Sequence, residues 1–171
     1  MEIRRLGSAD ADVFREIRLR ALEDAPYAFA SSLADESASG PDFWQGRVDE
    51  GATARKGAIF AAIDENGRAA AMAGGFFPQL GDAEAVLWGM WVAPEARRGG
   101  LARELVEAVV GWARSRGARR LRLCVSETER SRPAAALYGV LGFNYVGERE
   151  PLASDPAIST VTMVKDLADG S

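Results

Sequence analysis

Apolar residues recur along this chain with two periods, and the switches between them lay out the secondary structure. "EIRRL" (Glu2–Leu6) alternates and predicts a short strand. Ser8 then stands as the candidate N-cap of a helix running to about Asp24, with an imperfect apolar row of Val13, Ile17, Leu19 and Leu22; Pro26 closes it. "AFASSLADESASGP" is small, polar and acidic, a loop or broken helix, and a shorter helix carrying Phe43, Trp44 and Val48 spans about Asp42 to Glu50.

Strand signals follow. "AIFAAI" (Ala58–Ile63), a turn at "DENG" and "AAAMAGGFF" up to Pro78 form an economical hairpin. "AVLWGMWVAP" (Ala85–Pro94) is apolar on both faces, which predicts a central strand, and Gly89 inside it marks a bulge or a close approach to the backbone. Leu101, Leu105, Val109 and Trp112 share one face of the next helix, which ends at the basic stretch "SRGARR". "RLRLCV" alternates strictly, a last helix spans about Pro133 to Leu141, "GFNYVGE" follows, and "STVTMVKDL" supplies the final strand. The order is a strand, two helices, a meander, then strand, helix, strand, helix, strand, strand, which predicts a mixed sheet with helices against it.

Length and composition narrow the chemistry. The 171 residues, 47% hydrophobic and 27% charged, suit a single domain over 1–171. With one cysteine, Cys124, and no histidine, the chain has no internal disulfide, no cysteine zinc site, no histidine metal site and no nucleophile-histidine triad. Catalysis must use carboxylates, phenols, hydroxyls, backbone groups or a cofactor. The net charge of −4 argues against a nucleic-acid scaffold, and no apolar run reaches the length of a membrane span. The start "MEIRRLGSAD" lacks the apolar stretch of a secretion signal, so a cytoplasmic location is expected.

The stretch "EARRGGLARELV" (Glu95–Val106) concentrates the remaining chemistry. A helix N-terminus presents unsatisfied N–H groups and about half a positive charge. Gly99 and Gly100 at its start let an anion come close, and Arg97 and Arg98 add charge suited to a pyrophosphate. No Gly-Lys-Ser/Thr follows and no G-x-G-x-x-G exists, so two nucleotide-binding motifs drop out. Taken alone, the turn equally allows solvated arginines that bind nothing.

Two motifs together carry a family resemblance. Val92-Ala93-Pro94 followed by Arg97-Arg98-Gly99-Gly100-Leu101-Ala102 resembles the Gln/Arg-x-x-Gly-x-Gly/Ala signature of the GNAT superfamily of acyl-CoA-dependent N-acyltransferases. Ser131-x-x-Ala134-x-x-Leu137-Tyr138-x-x-x-Gly142-Phe143 resembles its second block, Asn-x-x-Ala-x-x-Leu-Tyr-x-x-x-Gly-Phe. The likeness is sharp over Ala85 to Gly147, and "RALEDAPYAFASSLADE" is similar to a stretch of one bacterial subgroup.

The resemblance implies an α+β fold, a central mixed and mostly antiparallel sheet of about six to seven strands flanked by about four helices. It implies transfer of an acetyl group from acetyl-CoA, a co-substrate, to an amine without a covalent enzyme intermediate and without a metal, and it allows a homodimer. The pyrophosphate would lie on the N–H groups of Arg98 to Ala102, with Arg97 and Arg103 as auxiliary charges. Backbone groups of Met90, Trp91 and Val92 would pair with the pantetheine arm. Ser131 and Ala134 belong to the second block, and Tyr138 is the candidate general acid for the departing sulfur.

The base is less determined. Many members carry a glutamate where this chain has Val86; Glu84, two residues earlier with the same strand parity, and Glu36 are the candidates, each acting through water. Ser131 replaces the usual asparagine, and "SETERS" runs about two residues longer than usual. Cys124 is expected to pack as a small apolar residue. Tyr27, Phe29, Trp44, Trp88 and Trp91 with Asp35 and Glu36 would suit a cationic or amphipathic amine, whereas Phe43 and Trp44 equally suit the core. Two rivals stand beside this reading: a CoA-binding sensor or partner module without turnover, and a generic domain whose turn binds nothing.

Overall fold

The structure is a computed structural model and describes residues 1–52, 56–79, 81 and 83–168. Seven strands form one sheet in the order β1-β2-β3-β4-β5-β7-β6. They are β1 (Glu2–Arg5), β2 (Gly57–Ile63), β3 (Ala69–Phe76), β4 (Glu84–Val92), β5 (Arg120–Ser126), β6 (Asn144–Leu152) and β7 (Asp155–Asp166). The helices are α1 (Ala11–Asp24), α2 (Leu33–Ser37), α3 (Pro41–Ala52), α4 (Leu101–Ser115) and α5 (Arg132–Val140). Every strand pair is antiparallel except β4 with β5, and β4 is the central strand. The expected mixed, mostly antiparallel sheet is present, with five α-helices among the described residues where about four were expected.

Each face of the sheet buries one apolar core. α4 covers one face with Leu105, Val109 and Trp112, joined by Tyr138 of α5 and by Phe143. α1 and α3 cover the other with Phe14, Ile17, Leu22, Trp44 and Val48. Burying each large apolar side chain stabilises the fold by about 1.5–3 kcal/mol, so the two stripes fix which face each helix takes. Adjacent glycines of β3 set how closely the aromatics approach: a Cβ on Gly75 would stand 2.7 Å from the Trp112 ring, and one on Gly74 would strike the Trp88 ring.

Two local expectations change, and of the loop or broken helix expected after Phe29 the second is found. Ser8 does not cap α1. A 3₁₀ turn, Ser8–Asp10, precedes the helix, and Asp10 there accepts from the Gly7 N–H at 2.7 Å and from Arg4 at 2.9 Å. The inner stripe of α1 is Phe14, Ile17, Arg18, Ala21 and Leu22, while Val13 and Leu19 are only partly buried. The acidic stretch after Phe29 contains α2, started by the Ser32 hydroxyl accepting from the Asp35 N–H at 3.1 Å.

Candidate functional site

β4 and β5 pair only from Glu84 opposite Arg120 to Val86 opposite Arg122, yet β4 continues to Val92 and β5 to Ser126. Beyond Val86 the strands part, and a wedge with backbone edges opens in the middle of the sheet. Gly89 bends β4 there. Its φ is +67°, and the register passes from Gly74 opposite Trp88 to Met72 opposite Trp91, so β4 carries one extra residue as a bulge. The bulge reverses the alternation. Leu87 and Met90 both face the α4 side, whereas Trp88 and Trp91 both face α1.

The ladder also assigns the backbone groups. The Ala93 N–H donates to the Ala70 carbonyl at 2.8 Å, so Ala93 and Trp91 turn their backbone toward β3 while Met90 and Val92 turn theirs toward the wedge. The expected trio is thereby divided between the two edges of β4. Trp91 spends its backbone on β3, and the Val92 carbonyl accepts from Arg97 Nε at 2.9 Å.

The wedge leads to the N-terminus of α4 through a 3₁₀ turn, Pro94–Ala96. Arg97 is extended, Arg98 has φ +68° and Gly100 has φ +85°. Backbone of alternating hand gathers successive N–H groups into a concavity that favours anions. Gly100 caps α4 without any side-chain hydrogen bond, and the first N–H groups of the helix have no side-chain acceptor among the described residues. A Cβ on Gly100 would meet nothing within 4 Å; glycine is required there by the backbone's hand, not by crowding.

The three candidate charges and their neighbours around this turn are placed unequally. Arg97 is committed twice, to Val92 and, through Nη2, to Asp24 at 2.8 Å. Arg103 pairs with Glu107 on the solvent face of α4 at 3.0 Å. Arg98 forms no ion pair among the described residues and is exposed, as are Gly99 and Gly100. Leu101 and Ala102 open the helix, half-buried.

On the β5 side, Tyr138 is buried and stands edge-on to Phe143 with 5.8 Å between ring centres. Burial pushes its phenol well above the usual range, so the proton stays on the oxygen at neutral pH. Ala134 packs half-buried one turn earlier. Ser131 is buried in a hydroxyl cluster, 2.5 Å from Ser126 Oγ and accepting from Thr128 Oγ1 at 3.0 Å. The extended "SETERS" segment therefore supplies hydrogen-bond partners to the residue that replaces asparagine. A cleft of about 470 Å³ lies beyond it, between α5 and β6.

Neither candidate base stands free at the wedge. Glu84 begins β4 at the closed end of the β4–β5 pair, 3.5 Å from Arg122. Five residues of strand, about 16 Å, separate it from the Gly89 bulge. Glu36 is buried and held by Arg18, Nε to Oε1 at 3.1 Å and Nη2 to Oε2 at 2.9 Å. Arg18 in turn lies over the rings of Phe29 and Trp88 at 4.9 and 5.8 Å. Cys124 is exposed rather than packed in the core, on the side of β5 opposite the buried Leu123 and Val125. Trp44 is core: it is buried and edge-on to Phe14 at 5.8 Å. No cluster of three or more metal-ligating side chains occurs among the described residues.

A parallel strand pair that opens at a bulge and points at an uncapped helix is the geometry that the two sequence motifs bracket. The family model described as Acetyltransferase (GNAT) family matches residues 17–143, most of the chain. The chain belongs to the GNAT acetyltransferase family.

Solved structures of the family share the fold. A GNAT-family acetyltransferase from Streptococcus pneumoniae is 22% identical with a TM-score of 0.81, over 97% of this chain and 98% of that one. A GCN5-related N-acetyltransferase from Kribbella flavida is 20% identical with a TM-score of 0.75, over 97% of each chain. An acetyltransferase from Salmonella typhimurium, solved with its cofactor acetyl-CoA, is 19% identical with a TM-score of 0.73, over 98% of this chain and 94% of that one. No curated protein matches this chain in sequence. No helix among the described residues is long and apolar enough to cross a membrane.

Three residues placed near the wedge lie outside both motifs. Asp24 accepts from both the Trp91 indole N–H and Arg97. Arg18 and Arg47 stand on the inner stripes of α1 and α3, where spacing calls for apolar residues. Arg18 falls within Phe14, Ile17, Ala21 and Leu22, and Arg47 lies between Trp44 and Val48. A cation in an apolar period was the available signal.

Proposed function

We propose that this chain is an acetyl-CoA-dependent N-acetyltransferase, one domain over 1–171 that moves the acetyl group to a primary amine of a small molecule or peptide by direct attack. Residues 53–55, 80, 82 and 169–171 of that span lie outside the described residues. The observation that carries the reading is the open edge of β4 beyond Val86 leading to the uncapped N-terminus of α4, with Arg98 and Gly100 in left-handed backbone. A diphosphate suits such a turn: left-handed backbone turns N–H donors inward, the N-terminal end of the helix dipole is positive, and no side-chain hydrogen bond caps the helix among the described residues.

In this reading the N–H groups from Arg98 to Ala102 hold the diphosphate and Arg98 supplies the mobile charge. Arg97 braces the turn from behind. The Met90 backbone, facing the wedge, pairs with the pantetheine arm. Acetyl-CoA, when bound, supplies an acyl carbon already activated as a thioester, so the protein must position, desolvate and move protons. Tyr138 keeps a phenolic proton available for sulfur, and water at the exposed side of the wedge takes the proton of the amine. The reading places the reaction in the cytoplasm, without nucleic acid or membrane. It includes pairing of two copies through β6, where Tyr145 and Val146 are exposed; sedimentation equilibrium tests that.

Val86 where many members have glutamate, and a Ser131 hydroxyl enclosed by its neighbours, favour the second reading, a CoA-binding module without turnover. Calorimetry with CoA, followed by free-thiol release from acetyl-CoA against a panel of amines, separates the two. Thiol release that depends on the amine supports the transferase. Tight CoA binding with no release on any acceptor supports the module, and a dissociation constant weaker than about 1 mM, roughly 4 kcal/mol of binding, sinks both.

A further inference from the structure

Arg47 is a half-buried guanidinium without a hydrogen-bond acceptor among the described residues. Its nearest carboxylate is Glu36 at 3.9 Å, and both oxygens of that group already accept from Arg18. Aromatic rings surround it: Arg47 lies 4.9 Å from the centre of Trp88, 5.4 Å from Phe14 and 5.6 Å from Phe43. Such rings steady a cation but satisfy none of its five N–H donors. Burial and the neighbouring Arg18 charge both weaken its hold on the proton. Two guanidiniums thus share one carboxylate in a largely apolar surrounding, and an anion is the missing partner.

The place for that anion is a cavity of about 210 Å³ lined by Arg47, Glu50, Lys56, Gly75, Phe76 and Trp88. It adjoins the reaction site. Trp88 immediately precedes the Gly89 bulge, and a Cβ on Gly89 would stand 3.7 Å from Arg18 Nη1. Around Arg47 the described charges are Arg18, Glu36, Glu50 and Lys56. Glu36 is spent on Arg18, so Arg47 and Lys56 face Glu50 with positive charge in excess.

We infer that the acceptor is a small amine that also carries a carboxylate or similar oxyanion, held by Arg47 against Trp88 while its amino group points to the Gly89 bulge. This rests on the transferase reading and narrows it. A planar carboxylate can take two parallel N–H groups of Arg47, which a cationic or neutral amine cannot do. The volume of about 210 Å³ admits an amino-acid-sized ligand. The acids at Asp35 and Glu36, which suggested a cationic acceptor, do not serve it: Asp35 is exposed on α2 and Glu36 is neutralised.

The test compares an α-amino acid with its primary amide as acceptors, across a set of side chains, by thiol release from acetyl-CoA. Wild-type protein should favour the best acid over its amide by about thirtyfold or more in kcat/KM, the effect of one charge-assisted pair. Arg47→Gln should bring that ratio below about threefold, with the loss in KM, and Arg47→Lys should fall between. CoA affinity should stay within about twofold in both variants. The ratio is taken within each variant, so a partial loss of folded protein cancels. Preference for the amide or for an alkyl diamine in wild type, or an unchanged ratio in Arg47→Gln, overturns the inference while leaving the transferase intact. CoA binding with no thiol release on any acceptor overturns both.

Discussion

A single oxygen of Asp24, Oδ2, accepts from the Trp91 indole N–H at 2.9 Å and from Arg97 Nη2 at 2.8 Å. The end of α1 thereby holds the last part of β4 and the turn before α4 in one arrangement. Arg97 Nε completes the brace on the Val92 carbonyl. The arginine that the motif offers for the diphosphate is thus a strut of the turn.

Removing that strut should show in stability before it shows in affinity. Asp24→Ala leaves the Trp91 N–H and Arg97 Nη2 without their acceptor, at a cost of about 1.5–3 kcal/mol for hydrogen bonds to a charged group. Urea unfolding followed by circular dichroism reads the change. A midpoint equal to that of wild type would show that the clamp holds nothing.

Backbone hand, more than side-chain charge, should govern CoA affinity. Gly100→Val puts a β-branched residue at φ +85°, which costs about 1–3 kcal/mol in a left-handed conformation and repositions the first N–H groups of α4. Calorimetry should give a CoA dissociation constant at least about tenfold weaker for Gly100→Val. Arg103→Ala, which removes only a surface pair with Glu107, should stay within about twofold. The reverse order would place the site elsewhere.

Tyr138→Phe should lower turnover by about tenfold or more and leave CoA affinity nearly unchanged. It also has a signature in stability. Burial raises the phenol's pKa in the folded state, so the folded protein retains a proton that the unfolded chain releases near pH 10. That contribution is present below about pH 10 and is lost as pH rises from there toward the folded-state value, by up to about 1.4 kcal/mol per unit. Chemical denaturation of wild type and Tyr138→Phe between pH 9 and 11 should show the difference between them shrinking with pH. A constant difference would contradict the buried, protonated phenol.

Glu36 is a test of structure against catalysis. Glu36→Gln leaves Arg18 buried at 5% exposure without a counter-charge, which costs about 3–5 kcal/mol. Pairing it with Arg18→Met should recover most of that loss, since both charges then leave together. Full stability of Glu36→Gln with turnover abolished would instead make Glu36 the base.

Periodicity reached far into the fold because each element answers to local rules. The alternation of Leu121, Leu123 and Val125 gives β5, and all three are buried as that spacing requires. The row of Leu105, Val109 and Trp112 gives the inner face of α4. Gly89 announced the irregularity in β4 by being glycine in an apolar strand, and its φ of +67° supplies the reason. The row proposed for α1 failed at Val13 and Leu19 because a charged residue, Arg18, occupies the stripe and disguises it.

The chain's own order of residues determined the seven-stranded architecture and the glycine turn that opens α4, since hydrophobic period, glycine conformation and helix polarity act within a few residues. Only the tertiary structure decided which charges remain available. Arg97 is spent on Asp24, seventy-three positions away, Glu36 on Arg18, eighteen away, and Arg47 is left with excess charge beside Trp88. Ion pairing depends on distances of a few ångströms between side chains that folding alone brings together, and no spacing along the chain encodes it.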